Sequence, residues 1–328
     1  MIYKNCKLYT DMSHFGAIVP RPNPRAFRPK EKTVFAVLED GAVLPAEVLD
    51  QETGEIMQEG YAGADIVRLT TRHDEFSRVF DETRGEKTSE ARKKMISDLE
   101  PFFEDPNEAV LFVDNKLANK KRAQIARSVR FRRKACLNRF DFFATFTYDD
   151  SKCTYEEFDR QLRIYFMNKA CRDGWKVMFV PEYGKETGRY HIHAVIKMPS
   201  GDSIPGTFKR ERRYSKKKHC MVTVIENTYF RDRWGQNDWQ SLSEMSLDER
   251  RKTVGYIIKY LTKTDGRAFY SRGIPTFLKA DIEEEDVIDF VFREGNTAVL
   301  FDDFRLYQDG VDLGPFHDDQ ITILGFTG

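Results

Sequence analysis

No stretch of the 328 residues stays apolar for the length of a membrane span, and the opening Met1, Ile2, Tyr3, Lys4 and Asn5 lack the regions of a signal peptide. A cytoplasmic location without membrane partners is expected. Cysteine is scarce: Cys6, Cys136, Cys153, Cys171 and Cys220 include no close pair and leave one over, which disfavours a disulfide framework or a thiolate zinc site. They are expected to be reduced packing residues. No G-x-x-x-x-G-K-[ST] run is present to cradle nucleotide phosphates, so ATP-driven unwinding is not predicted. No internal repeat is found. Net charge is also missing, because 53 Lys and Arg balance 53 Asp and Glu.

That neutrality is an average over unlike segments. Between residues 116 and 139 stand Lys116, Lys120, Lys121, Arg122, Arg127, Arg130, Arg132, Arg133, Lys134 and Arg139, with no Asp or Glu among them. Such a run seeks phosphate. A second basic cluster comprises Lys209, Arg210, Arg212, Arg213, Lys216, Lys217 and Lys218, interrupted only by Glu211 among charged residues. The acidic counterweight is terminal: Asp281, Glu283, Glu284, Glu285, Asp286 and Asp289, then Asp302, Asp303, Asp309, Asp312, Asp318 and Asp319. The tail reads as a solvated face.

The 40% hydrophobic content is enough for a real core, and the length favours two domains. Residues 1–114 hold a Pro-rich stretch (Pro20, Pro22, Pro24, Pro29), a short apolar run at 33–38 and a polar helical stretch at 89–99. They are expected to form an accessory region without assigned function. The basic segment 115–138 lacks Pro and Gly and reads as a helix, and D-F-F-A-T-F-T-Y (141–148) is rich in strand formers. Thr154 and Glu157 form a capping-box pattern before an amphipathic helix that ends near Gly174. Residues 175–182 and 190–198 read as two strands of a hairpin, residues 219–225 as a further strand after a basic loop, and residues 246–263 as a helix. Residues 227–246 give no clear pattern, and 269–275 read as strand or turn. The expected domain runs over 115–275, with 276–328 as an acidic segment. An α+β fold follows, with an antiparallel sheet and helices on one side.

Within 190–198, His191 and His193 point to one face while Ile192, Ala194, Ile196 and Met198 point to the other. If the hairpin loop is symmetric about Glu186 and Thr187, Glu182 stands opposite His191. Two imidazoles and a carboxylate would leave open positions on a metal, as catalysis requires. Otherwise the pair merely lines a polar face. On a helical wheel of V-G-Y-I-I-K-Y-L-T-K (254–263), Tyr256, Lys259, Tyr260 and Lys263 share a face opposite Val254, Ile257, Ile258 and Leu261. A phenol with a pKa of about 10 is a poor nucleophile unless a cation or metal lies nearby.

F-A-T-F-T-Y (143–148), H-I-H (191–193) and Y-I-I-K-Y (256–260), in that order, resemble the three motifs of HUH endonucleases, especially bacterial plasmid and phage rolling-circle replication initiators. The resemblance covers about 128–275. It implies a ferredoxin-like five-stranded antiparallel sheet, a divalent Mg²⁺ or Mn²⁺ held by His191, His193 and Glu182 (Glu186 as fallback), and nicking and rejoining of single-stranded origin DNA. Tyr256 would be the nucleophile, Lys259 would stabilise phosphate or phenolate, and Tyr260 would be a second nucleophile or a structural residue. A host helicase and polymerase are the implied partners. Arg130, Arg132, Arg133, Lys209, Arg210, Arg212, Arg213 and Lys263 are candidates for holding the DNA backbone. A relaxase or transposase would share these motifs; a non-catalytic DNA-binding regulator would lack a ligand or tyrosine, and a water-activating nuclease would need no paired tyrosines.

Overall fold

The computed structural model describes residues 1–12, 14–20, 33–48, 61, 65–183, 189–215, 219–263, 268–291, 297–308 and 311–316, without the side chains of 215, 262, 263 and 291. Glu186 and Thr187 in the hairpin loop, Lys216 to Lys218, Pro22, Pro24 and Pro29, and Asp309, Asp318 and Asp319 lie outside them. The chain divides into two compact units, Met1–Asn23 with Ala126–Gly328, and Pro24–Ile125. These differ from the expected division into 1–114, 115–275 and 276–328, because the first strand belongs with the last ones.

In chain order the larger unit opens with β1 (Ile2–Thr10) and β2 (Phe15–Ile18). The smaller unit holds β3 (Val34–Leu38), β4 (Val43–Pro45), β5 (Ile66–Thr71), α1 (Arg72–Glu82) and α2 (Thr88–Leu99). Its three strands form a small sheet in the order β4-β3-β5, and Phe35, Val37, Phe76, Val79, Met95 and Leu99 form its core. Helix α3 (Pro106–Leu137) begins earlier than expected. Asp105 accepts from the Asn107 amide there, and Pro106 needs no donor partner in a first turn.

The larger unit resumes with β6 (Phe142–Thr147), α4 (Tyr155–Asp173), β7 (Lys176–Tyr183), β8 (Tyr190–Lys197), β9 (Phe208–Ser215), β10 (Cys220–Asn227), α5 (Thr228–Arg233), β11 (Asn237–Ser241), α6 (Leu247–Lys263) and β12 (Phe269–Tyr270). The expected capping box of Thr154 and Glu157 starts α4, and Gly174 ends it in the left-handed region at φ 70°. A five-stranded sheet runs β11-β6-β8-β7-β12, every pair antiparallel.

Helices cover both faces of that sheet, which corrects the expectation of helices on one side. On one face Phe158, Leu162 and Phe166 of α4 and Phe230 of α5 pack on Ala144, Phe146, Val177, Phe179, Ile192, Ala194 and Ile196. On the other, Phe131 and Ala135 of α3 and Val254, Ile257, Ile258 and Leu261 of α6 pack on Phe143, Met178, Val180 and Val195. Strand alternation is the reason: each of the three central strands buries apolar side chains in both directions.

Two further expectations change. The basic segment after residue 208 is no loop, because β9 pairs with β10 over eight residue pairs as a separate two-stranded ribbon. The acidic tail supplies β13 (Leu278–Glu283), β14 (Val287–Val291), β15 (Thr297–Leu300), β16 (Arg305–Gln308) and β17 (Val311–Pro315). With the first two strands these build a seven-stranded sheet, β14-β15-β2-β1-β13-β16-β17. Leu8, Ala17, Leu278, Ile282, Leu300 and Leu306 form its core. The acids follow the pleat, so most stay in water; Asp281 is buried and accepts from the Asn5 amide at 2.8 Å.

Candidate active site

The hairpin register is the one its loop symmetry suggested, with Glu182 opposite His191 and Val180 opposite His193. On the other side of β8, Thr147 is opposite His191 and Thr145 opposite His193. Side chains directly opposite share a face, so β6, β7 and β8 bring two threonines, two histidines and one glutamate together on the side of α6.

Each imidazole is held at Nδ1 by the hydroxyl across the strand. Thr147 Oγ1 lies 2.7 Å from His191 Nδ1, and Thr145 Oγ1 lies 3.1 Å from His193 Nδ1. A hydroxyl can donate or accept, so these contacts suit either tautomer of the ring. His193 Nε2 lies 2.7 Å from Glu182 Oε2. Burial, then the neighbouring His193, lowers the His191 pKa and favours the neutral imidazole. A neutral imidazole is the form that can donate a lone pair to a cation. In the sequence Thr145 and Thr147 stand only as part of a motif; their alternation with Phe142, Ala144 and Phe146 is the signal that could have found them.

Helix α6 lays its tyrosines over this floor. The ring of Tyr260 stacks on His193 at 4.9 Å between centroids, and Tyr256 meets the same imidazole edge-on at 5.5 Å. The two phenol rings are 4.8 Å apart. Burial, followed by hydrogen bonding to Tyr256 and to Glu182, raises the Tyr260 pKa and keeps that phenol protonated. Tyr256 is 40% exposed, while Val254, Ile257, Ile258 and Leu261 are buried as the helical wheel required. Lys259 is exposed on the same helix. Lys263 is in α6, but its side chain is outside the described residues.

Among the described residues no group of three His, Cys, Asp or Glu side chains is gathered closely enough to hold a metal ion. The donor chemistry of His191, His193 and Glu182 fits a divalent cation, but the hydrogen bond between His193 and Glu182 occupies two of those donors with each other.

Residues 141–265 match a family described as replication-associated protein ORF2. That span covers less than half of the chain and holds every residue named in this site. The match is consistent with a replication initiator. No curated protein and no solved structure matches the chain. No helix among the described residues is long and apolar enough to cross a membrane.

The expected DNA contacts fall into different environments. Arg130 and Arg132 are exposed on α3, whereas the Arg133 guanidinium lies over the Tyr9 ring at 3.9 Å. Lys209, Arg210 and Arg212 are exposed on β9. Arg213 is taken up by acids: it lies 2.8 Å from Glu211 and 2.9 Å from Glu226, which is buried. Arg231 completes this network at 3.4 Å from Glu211 and 3.5 Å from Glu226.

Proposed function

We propose that the chain is a replication initiator of the HUH type that nicks and rejoins single-stranded origin DNA through a tyrosine. The observation that carries this reading is the contact of Tyr256 and Tyr260 with His193, whose Nε2 lies 2.7 Å from Glu182. A core role for the tyrosines would place them among the aliphatic residues of α6. Instead they lie against the polar face of the sheet.

In the proposed reaction Tyr256 Oη attacks the scissile phosphorus, forming a tyrosine–phosphate bond as the bond to the 3′ oxygen breaks. The phenol proton is lost, the leaving oxygen gains one, and the products are a 5′-phosphotyrosine and a free 3′-hydroxyl able to prime a polymerase. His191, His193 and Glu182 would hold Mg²⁺ or Mn²⁺, which would supply charge stabilisation for the phosphate. Thr145 and Thr147 keep the imidazoles aimed. Glu182 must leave its hydrogen bond with His193 for both to serve as ligands. Lys259 would offset negative charge on the phosphate or phenolate. Tyr260, held protonated, is placed to act after Tyr256 has reacted, as the second nucleophile that ends a round.

A relaxase or transposase would use the same chemistry; the match to a replication-associated family favours initiation. The test is cleavage of labelled single-stranded origin candidates with Mn²⁺. Wild-type protein should cleave and His193→Ala should not, with weakened Mn²⁺ binding by calorimetry. Equal cleavage and equal Mn²⁺ affinity would overturn the assignment.

A further inference from the structure

The β9-β10 ribbon has two unlike faces. Pairing places Arg213 opposite Val222, Glu211 opposite Val224 and Lys209 opposite Glu226 on one of them. That face turns to α5, where Arg213 and Arg231 neutralise Glu211 and the buried Glu226. On the other face Tyr214 pairs with Met221, Arg212 with Thr223 and Arg210 with Ile225. Its base is anchored, because Phe208 meets Trp239 at 5.7 Å and the amides of Ile225 and Asn227 donate to Asp238 and Asn237 of β11. Its outer part is not covered. Tyr214 is 60% exposed, Met221 is 48% exposed, and Arg210, Arg212 and Thr223 are exposed.

We infer that this outer face is a docking surface for double-stranded DNA beside the single strand that the active site would cut, an inference that rests on the proposed function. Three observations favour a duplex. The acids of the ribbon are confined to the opposite face and paired there, so Arg210 and Arg212 present unopposed positive charge to a phosphate backbone. A two-stranded antiparallel ribbon has a width that the major groove of B-DNA admits. A single-strand site would instead need a succession of aromatic platforms, and the outer part of this face carries one, Tyr214. Position also agrees: β11, to which the ribbon is tied, is separated from the histidine strand β8 only by β6, a lateral offset of about 10 Å. That is well under the length of one duplex turn, so a hairpin held by the ribbon could deliver its adjoining strand to His191 and His193.

The test is fluorescence anisotropy with the full chain and two probes: a single-stranded oligonucleotide, and the same strand joined to a hairpin of about one helical turn. Wild-type protein should bind the hairpin probe about tenfold tighter than the single strand. Arg210→Ala with Arg212→Ala should abolish that preference and make the logarithmic salt dependence on the hairpin probe shallower by roughly 1.8, the value for two phosphate contacts. Tyr214→Ala should reduce the preference without changing the salt slope. A wild-type chain with no preference, a double variant that keeps it, or equal weakening on both probes would each overturn the inference. Absence of binding to either probe would overturn it together with the proposed function. Loss of the nicking reading alone would show differently, as a retained hairpin preference with no covalent adduct.

Discussion

Glu182 pairs across the hairpin with His191, yet its carboxylate bonds to His193, with Oε2 2.7 Å from Nε2. The diagonal contact leaves His191 Nε2 outside that pair while Thr147 holds its Nδ1. The site is therefore oriented by β6 as much as by β7. Thr145→Val and Thr147→Val preserve shape but remove the hydroxyls. Each should lower Mn²⁺ affinity by about 10- to 100-fold, the usual effect of losing a hydrogen bond that orients a ligand. Calorimetry measures this, with unchanged thermal unfolding as the control and Thr→Ser expected to restore binding. Unaltered affinity in both valine variants would mean that the hydroxyls serve the sheet alone.

The Arg213–Glu226 pair makes a stability prediction independent of catalysis. Glu226 is 1% exposed, so removing its partner leaves a buried charge with only Arg231 nearby. Arg213→Met should destabilise the chain by on the order of 3 kcal/mol, read as a lowered urea midpoint. Arg213→Met with Glu226→Gln should recover a large part of that loss, because the desolvation cost disappears with the charge. Additive losses would show that the pair is not coupled.

Thiol reactivity should follow burial. Burial pushes the Cys6 thiol up to about 11 and the Cys136 thiol up to about 12, with Asp281 and Asp11 respectively the next contributors. At pH 8 their thiolate fractions are roughly one in a thousand or less, whereas Cys171 and Cys220 are exposed. A native-state thiol titration should label Cys171 and Cys220 promptly, and Cys6 and Cys136 only on unfolding. Prompt labelling of Cys136 would mean that the end of α3 opens readily.

Much of the site was legible because it depends on local periodicity. Alternation over 190–197 placed both histidines on one face, a symmetric loop put Glu182 opposite His191, and the 3.6-residue period separated the tyrosines from the aliphatic stripe of α6. What stayed hidden depends on distant partners. The edge strand β11 is N-D-W-Q-S, whose polar residues satisfy the ribbon and whose single Trp239 supplies the packing. The ribbon itself reads as a loop because charges occupy nearly every position of β9, and only the pairing to β10 shows that Glu211 and Arg213 face inward together. The seven-stranded sheet joins Leu8 to Leu278, a pairing that no local pattern encodes. Helices on both faces follow from the same apolar runs in β7 and β8 that periodicity cannot assign to a side.

The central claim is that Tyr256 is a nucleophile, and one oxygen atom decides it. Tyr256→Phe keeps nearly all the packing against His193 and Phe143, so a structural role would lose only a hydrogen bond, on the order of 1 kcal/mol. Wild-type protein, labelled single-stranded origin DNA and Mn²⁺ should give an adduct that survives denaturing electrophoresis and disappears on protease digestion. Tyr256→Phe should give little or none, while Tyr260→Phe should retain the first cleavage and lose a second strand transfer. An undiminished adduct from Tyr256→Phe, and from the Tyr256→Phe and Tyr260→Phe double variant, would contradict the account.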